Sequence, residues 1–109
     1  MSFNEYYGGP APKIQGVLSS VKLRNQLLKL DSTLDVRLKN VRVNGQLRGC
    51  SGFVGNGTSW VYVNAEHDRG ISPDALYRTA TGPTDYTGGR NQFAPYGDLA
   101  WAVVSTLKG

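Results

Sequence analysis

The chain holds one histidine, His67, in the run Glu66-His67-Asp68-Arg69-Gly70. Imidazole ionises nearest neutrality of all side chains, so a histidine oriented by carboxylates has the makings of a general base. Polar residues after a strand are also how an ordinary turn reads, and no converging set of partners stands out around His67. With no second histidine and no cysteine pair, a standard structural zinc set cannot be assembled. The expectation is therefore a protein with no catalytic residues, no metal and no cofactor.

Cys50 is the sole thiol. As a nucleophile it would need a neighbouring base and a depressed pKa. The alternation of Cys50, Val54, Val61 and Val63 places it instead on an apolar strand face, where free cysteine acts as a small hydrophobe. A lone cysteine forms no internal disulfide and is commonest where thiols stay reduced, so the expected location is cytoplasmic. The first ten residues lack the basic start and apolar stretch of a secretory signal. No stretch approaches the roughly 20 apolar residues of a membrane span, so no membrane partner is expected.

The densest polar run is Asp85-Tyr86-Thr87-Gly88-Gly89-Arg90-Asn91. Consecutive glycines let backbone amides converge on an anion, and Arg90 offers a bidentate contact to phosphate or carboxylate. Gly88, Gly89 and Arg90 are thus a candidate anion-binding loop for a nucleotide or similar ligand. The spacing matches neither a P-loop nor a dinucleotide fingerprint, and a tight turn is the plainer reading.

Charge is the strongest signal. The net charge is +4, but between Lys13 and Arg48 eight basic residues face only Asp31 and Asp35, while the remainder is near neutral. Lys22, Arg24, Lys29, Arg37, Lys39, Arg42 and Arg48 are the candidate nucleic-acid-binding residues, gathering phosphates by counterion release. Cations between strand valines are equally what a solvated sheet face shows. Aromatics supply the second signal. Phe3, Tyr6 and Tyr7 lie in a glycine- and proline-rich arm over residues 1–12, and Tyr86, Phe93 and Tyr96 in a segment without periodicity; such residues anchor interfaces or stack on bases.

These readings give three functions. The first is a small non-catalytic binding protein that self-associates and contacts nucleic acid through residues 22–48. The second is a structural or inhibitory module that binds a protein partner through the arm and the 81–97 segment. The third is a small nucleotide or anion binder using the Gly88-Gly89-Arg90 loop.

The elements that must position these residues form one domain over 13–109, since 109 residues leave no room for two cores. Ile14, Val17, Leu18, Val21 and Leu28 fall on one helical face, predicting a helix over 14–30; Leu23, Leu27 and Leu30 lie on the far side, so the element is buried on two faces or breaks partway with Val21-Lys22-Leu23 extended. Residues 34–48 alternate as strand, slipping phase at Asn40, with Asn44-Gly45 as a two-residue turn. A hairpin over 50–65, centred on Asn56-Gly57, sets Phe53 opposite Trp60, Ser51 opposite Tyr62 and Cys50 opposite Val63. One of its faces then carries Phe53, Trp60 and Tyr62; an apolar sheet on both sides predicts cover on both, by helices or by another subunit. Ser72-Pro73-Asp74 reads as a short helix start, residues 81–97 as a long loop, and Asp98 as the start of a helix with Leu99, Val103 and Leu107 in a stripe. The predicted class is α+β: an antiparallel sheet of about four strands in two hairpins, flanked by an N-terminal and a C-terminal helix.

Overall fold

The computed structural model describes residues 18–66, 74–84 and 91–109. Over these the chain is α+β: helix α1 (Ser20–Leu30), strands β1 (Asp35–Val43), β2 (Gln46–Gly55), β3 (Trp60–Asn64), β4 (Asp74–Ala80) and β5 (Asn91–Pro95), and helix α2 (Tyr96–Lys108). The strands form one antiparallel sheet in the order β1-β2-β3-β4-β5. The arm, His67 to Pro73, and the Gly88-Gly89-Arg90 loop lie outside the described residues. No helix among the described residues is long and apolar enough to cross a membrane.

Helix α1 begins at Ser20 because Ser19 caps it, its hydroxyl accepting from the Lys22 amide at 3.2 Å, and Ile14 and Val17 of the predicted helix lie outside the described residues. Leu23 and Leu27, one turn apart, are fully buried, whereas Val21 is 60% and Leu30 48% exposed. The predicted double-sided burial is thus replaced by one inward stripe. Two residues of helix rotate a side chain by about 200°, which carries Val21 away from the core once Leu23 is seated. The helix stops at Asp31, whose amide donates to the Leu27 carbonyl at 2.9 Å. The Asp31 carboxylate accepts from the Thr33 hydroxyl at 2.6 Å and the Thr33 amide at 2.9 Å. Those two bonds, the hydroxyl's first, hold its pKa below the ordinary carboxylate value and turn the chain into β1.

The β1–β2 turn is the expected Asn44-Gly45, with φ of 53° and 80°. Positive φ at both positions matches the right-handed twist of the flanking strands. The phase slip sits between Val41 and Arg42, just beyond Asn40.

The β2–β3 hairpin keeps the predicted faces but not the predicted pairs. Phe53 opposes Tyr62, Gly55 opposes Trp60 and Ser51 opposes Asn64. The loop takes in Thr58 and Ser59 because the Asn56 side-chain oxygen accepts from the Thr58 amide at 3.0 Å and the Ser59 amide at 2.8 Å. The Asn56 side-chain amide also donates to the Leu107 carbonyl at 3.1 Å, tying the loop to α2. A shift of two residues preserves which side of the pleat each residue occupies, so face assignments survive.

Two segments of the predicted pattern are corrected. Asp74 does not start a helix: Asp74–Ala80 is strand, because Ala75 and Tyr77 seat on the buried face with Tyr77 opposite Val63. A sheet partner thereby overrides a local capping signal, of which Ser72 and Pro73 lie outside the described residues. Residues 81–97 are not one loop, since Asn91–Pro95 pairs with β4 as a fifth strand and Tyr96 opens α2. Along α2 the expected stripe of Leu99, Val103 and Leu107 is buried, with Tyr96, Ala100 and Val104 beside it.

The core lies between the two helices and one face of the sheet. Leu23 and Leu27 from α1, Leu99 and Val103 from α2, and Cys50, Val54, Val61, Val63, Tyr77 and Ala94 from the sheet form one buried cluster. Among the described residues both helices lie on this face; on the other, Phe53, Trp60, Tyr62 and Arg78 are half-buried.

Candidate nucleic-acid interface

Alternation along each strand aims the remaining side chains at the opposite face. Reading across the sheet, Arg37, Phe53, Tyr62, Arg78 and Asn91 fall in one register row. Asp35, Gly55, Trp60 and Ala80 form the row on one side of it, and Lys39, Ser51, Asn64, Leu76 and Phe93 the row on the other. This face is therefore aromatic and cationic where the helix face, Tyr77 apart, is mostly aliphatic.

Its centre is a set of ring contacts. Phe53 and Tyr62 have centroids 5.1 Å apart at an interplanar angle of 59°. The Arg78 guanidinium carbon lies 5.5 Å from the Tyr62 ring centre, and that of Arg37 lies 5.0 Å from the Trp60 ring centre. Both distances are within cation–π range. The Trp60 indole lies over Gly55, where a Cβ would stand 2.7 Å from its ring carbons. Only glycine permits that approach, so Gly55 seats the indole across β2 towards β1.

Arg37 is held from its other side by Asp35. Its Nε donates to Oδ1 at 3.1 Å and its Nη2 to Oδ2 at 3.0 Å. Those bonds raise the arginine pKa further and fix the guanidinium plane over Trp60. Both partners remain about half exposed, with side-chain exposures of 54% and 48%, so the pair stays open to ligand. Lys39, two residues along the same strand, is exposed. Phe93 is 70% exposed at the far edge of the sheet.

The seven cations singled out by sequence do not share one surface. Arg37 and Lys39 lie on the open face. Lys22, Arg24 and Lys29 are exposed on α1, on the other side of the sheet, with Arg24 donating to the Val36 carbonyl at 3.4 Å. Arg42 donates to the Gly45 carbonyl at 3.4 Å at the tip of the β1–β2 hairpin, and Arg48 is half-buried in β2 beside the register shift. Arg78 belongs to the central row and escapes sequence reasoning, because its strand opens on the signals of a helix start. Phe93 stands out in the sequence as an aromatic but not as a strand residue; the alternation Gln92, Phe93, Ala94 is the signal that would place it.

The chemical candidates fare differently. Cys50 is fully buried, and desolvation pushes its pKa up to about 12, so the thiol is a packed hydrophobe. Tyr96, expected in a loop, is buried at the start of α2 with its hydroxyl donating to the Ala65 carbonyl at 3.4 Å. Burial, and then the proximity of Cys50, push its pKa up to about 12. Among the described residues no three histidine, cysteine or acidic side chains cluster as metal ligands do. Phe3, Tyr6, Tyr7, His67, Gly88, Gly89 and Arg90 lie outside the described residues. Against this geometry, comparison with protein-family models, with curated proteins and with solved structures returns no match.

Proposed function

We propose that this chain is a non-catalytic nucleic-acid-binding protein that lays a single strand across the open face of its sheet. The observation that carries the reading is the aromatic field of Phe53, Tyr62 and Trp60, set among Arg37, Lys39 and Arg78. Bases present a π-face whatever their identity, so rings at sheet spacing accept successive unstacked bases with little sequence preference. Cations between the rings neutralise the accompanying phosphates. A duplex keeps its bases stacked inside and offers such a surface only its backbone. The fully buried thiol of Cys50 fits residence in a reducing compartment such as the cytoplasm.

Anisotropy of a labelled single-stranded oligonucleotide, titrated across a salt series, tests this. Three phosphate contacts on a single strand give a slope of about −2 in log K against log salt. Trp60→Ala lowers affinity about 5- to 100-fold, the usual range for one stacked base. Reversing charge at Arg37 and Lys39 flattens the salt slope. Absence of binding at low ionic strength, or binding indifferent to Trp60→Ala, overturns the reading.

A further inference from the structure

Among the described residues the sheet ends on two edge strands of unequal kind, β1 and β5. β5 has five residues and closes on Pro95, which has no amide hydrogen to give. β1 has nine residues and no proline. A long edge of unpaired backbone groups is a template for a further strand. The Arg37 carbonyl is directed at β2, lying where a side chain on Gly52 would stand. Alternation then turns the backbone groups of Val36 and Leu38 outwards, and the Arg24 guanidinium reaches the Val36 carbonyl from outside at 3.4 Å. That contact is long and leaves the carbonyl's second lone pair for another donor. Beside this edge runs a small hollow of about 50 Å³ between α1 and β1, lined by Val21, Val36 and Leu38 with Ser20 and Arg24.

We propose that the β1 edge pairs antiparallel with the β1 edge of a second copy, joining the two five-stranded sheets into one. A two-fold axis normal to the sheet keeps both open faces on one side and requires opposed residues of like pleat, so the axis passes between the two copies of one residue. Charge and strand extent together select which one: centring on Val36 sets Asp35 against the other Arg37, but it opposes Leu38 to Leu34, which precedes β1 and whose amide already donates to the Asp31 carbonyl at 3.3 Å. Centred on Leu38, the pairing sets Arg37 against Lys39 of the other copy twice over, four cations with no acid between them. Centred on Arg37, it sets Asp35 against the other Lys39 and Val36 against the other Leu38, each twice. The two Arg37 side chains meet at the axis, but each is already bridged to its own Asp35. The outward groups of Val36 and Leu38 then exchange four backbone hydrogen bonds across the axis. The apolar side chains bordering the hollow acquire apolar neighbours from the other copy, and the two aromatic fields come to flank a shared charged strip of Asp35, Arg37 and Lys39 from both copies.

The test is light scattering of the full chain in buffer free of nucleic acid, so its outcome is separate from that of the binding experiment. A dimer is expected at about 100 µM protein, since even weak specific interfaces reach micromolar dissociation constants. Asp35→Lys sets the introduced ammonium against the other copy's Lys39 at two symmetric sites and raises the dimer dissociation constant about tenfold. Adding Lys39→Asp to it restores opposed charges and recovers most of that loss. Val36→Pro removes an outward amide without touching the β1–β2 ladder, and yields a monomer of unchanged circular dichroism. A wild-type monomer, a dimer unmoved by Asp35→Lys, or a double variant no tighter than the single overturns the proposal; should the proline variant unfold, the charge exchange still decides.

Discussion

The two faces of one sheet are built from different alphabets. Towards the helices stand Cys50, Val54, Val61, Val63, Ala75 and Ala94, small side chains that let two helices approach closely. Away from them stand Arg37, Phe53, Trp60, Tyr62 and Arg78, large side chains joined by ring and guanidinium contacts between strands. Strand pairing constrains both faces equally, so the difference reflects what each face must meet. The first meets hydrocarbon and gains by leaving no voids. The second is tied together laterally through those contacts. Core packing therefore concentrates in one face, and the proposed recognition would fall on the other.

The sharpest way to break this division is to truncate one large apolar residue belonging to each side. Leu99 is fully buried and packs from α2 onto the sheet; Phe93 is 70% exposed on the open face. Leu99→Ala is expected to cost about 2–5 kcal/mol in denaturant unfolding, transfer and cavity terms together. Phe93→Ala is expected to stay within about 0.5 kcal/mol of wild type. A large loss at Phe93 would show the open face to be part of the folding core, and the comparison would fail.

Which residues share a face is legible in the sequence; which residues stand opposite one another is not. The alternation of Phe53, Trp60 and Tyr62 against Cys50, Val54, Val61 and Val63 is a property of each strand alone. Register depends on the loop, and the Asn56 bonds that enlarge it involve Thr58, Ser59 and the distant Leu107. β4 and β5 are hidden for a related reason. Each is short and rich in signals that also suit helix starts or loops, and only the ladder from β3 outwards makes them strands. Arg78, at the centre of the candidate site, is hidden with them. The clustered charge of residues 22–48 is visible, but a linear count cannot tell that α1 and β1 present it on opposite sides of a sheet.

Asn56 offers a test of intermediate size on this point. Its oxygen accepts from the Thr58 amide and hydroxyl and from the Ser59 amide, while its nitrogen reaches Leu107. Asn56→Ala strips all of these at once and is expected to cost about 1–2 kcal/mol in thermal or denaturant unfolding, since most of the orphaned groups can turn to water. Asn56→Asp keeps the acceptor and is expected to lose only the part owed to Leu107. Equal losses in the two variants would mean that the loop is set by something other than the side-chain oxygen.

The smallest effect expected is in alkali, and it separates the faces by titration. Cys50, sealed in the helix-side core, ionises near its ordinary value of 9 when unfolded and near 12 when folded. Between those values the unfolded chain has released the proton and the folded chain has not, so stability falls as pH rises; below pH 9 the contribution is fully present. By pH 10 the loss from this one thiol is about 1–2 kcal/mol. Tyr96, raised from 10 to about 12 mainly by burial, adds to the decline at higher pH. Thermal midpoints of wild type and Cys50→Ala measured from pH 8 to pH 10.5 should therefore converge: the variant starts lower, for want of a buried sulfur, but falls more gently. Parallel curves would mean that the thiol reaches solvent in the folded protein, and the helix-covered face would not be the sealed one.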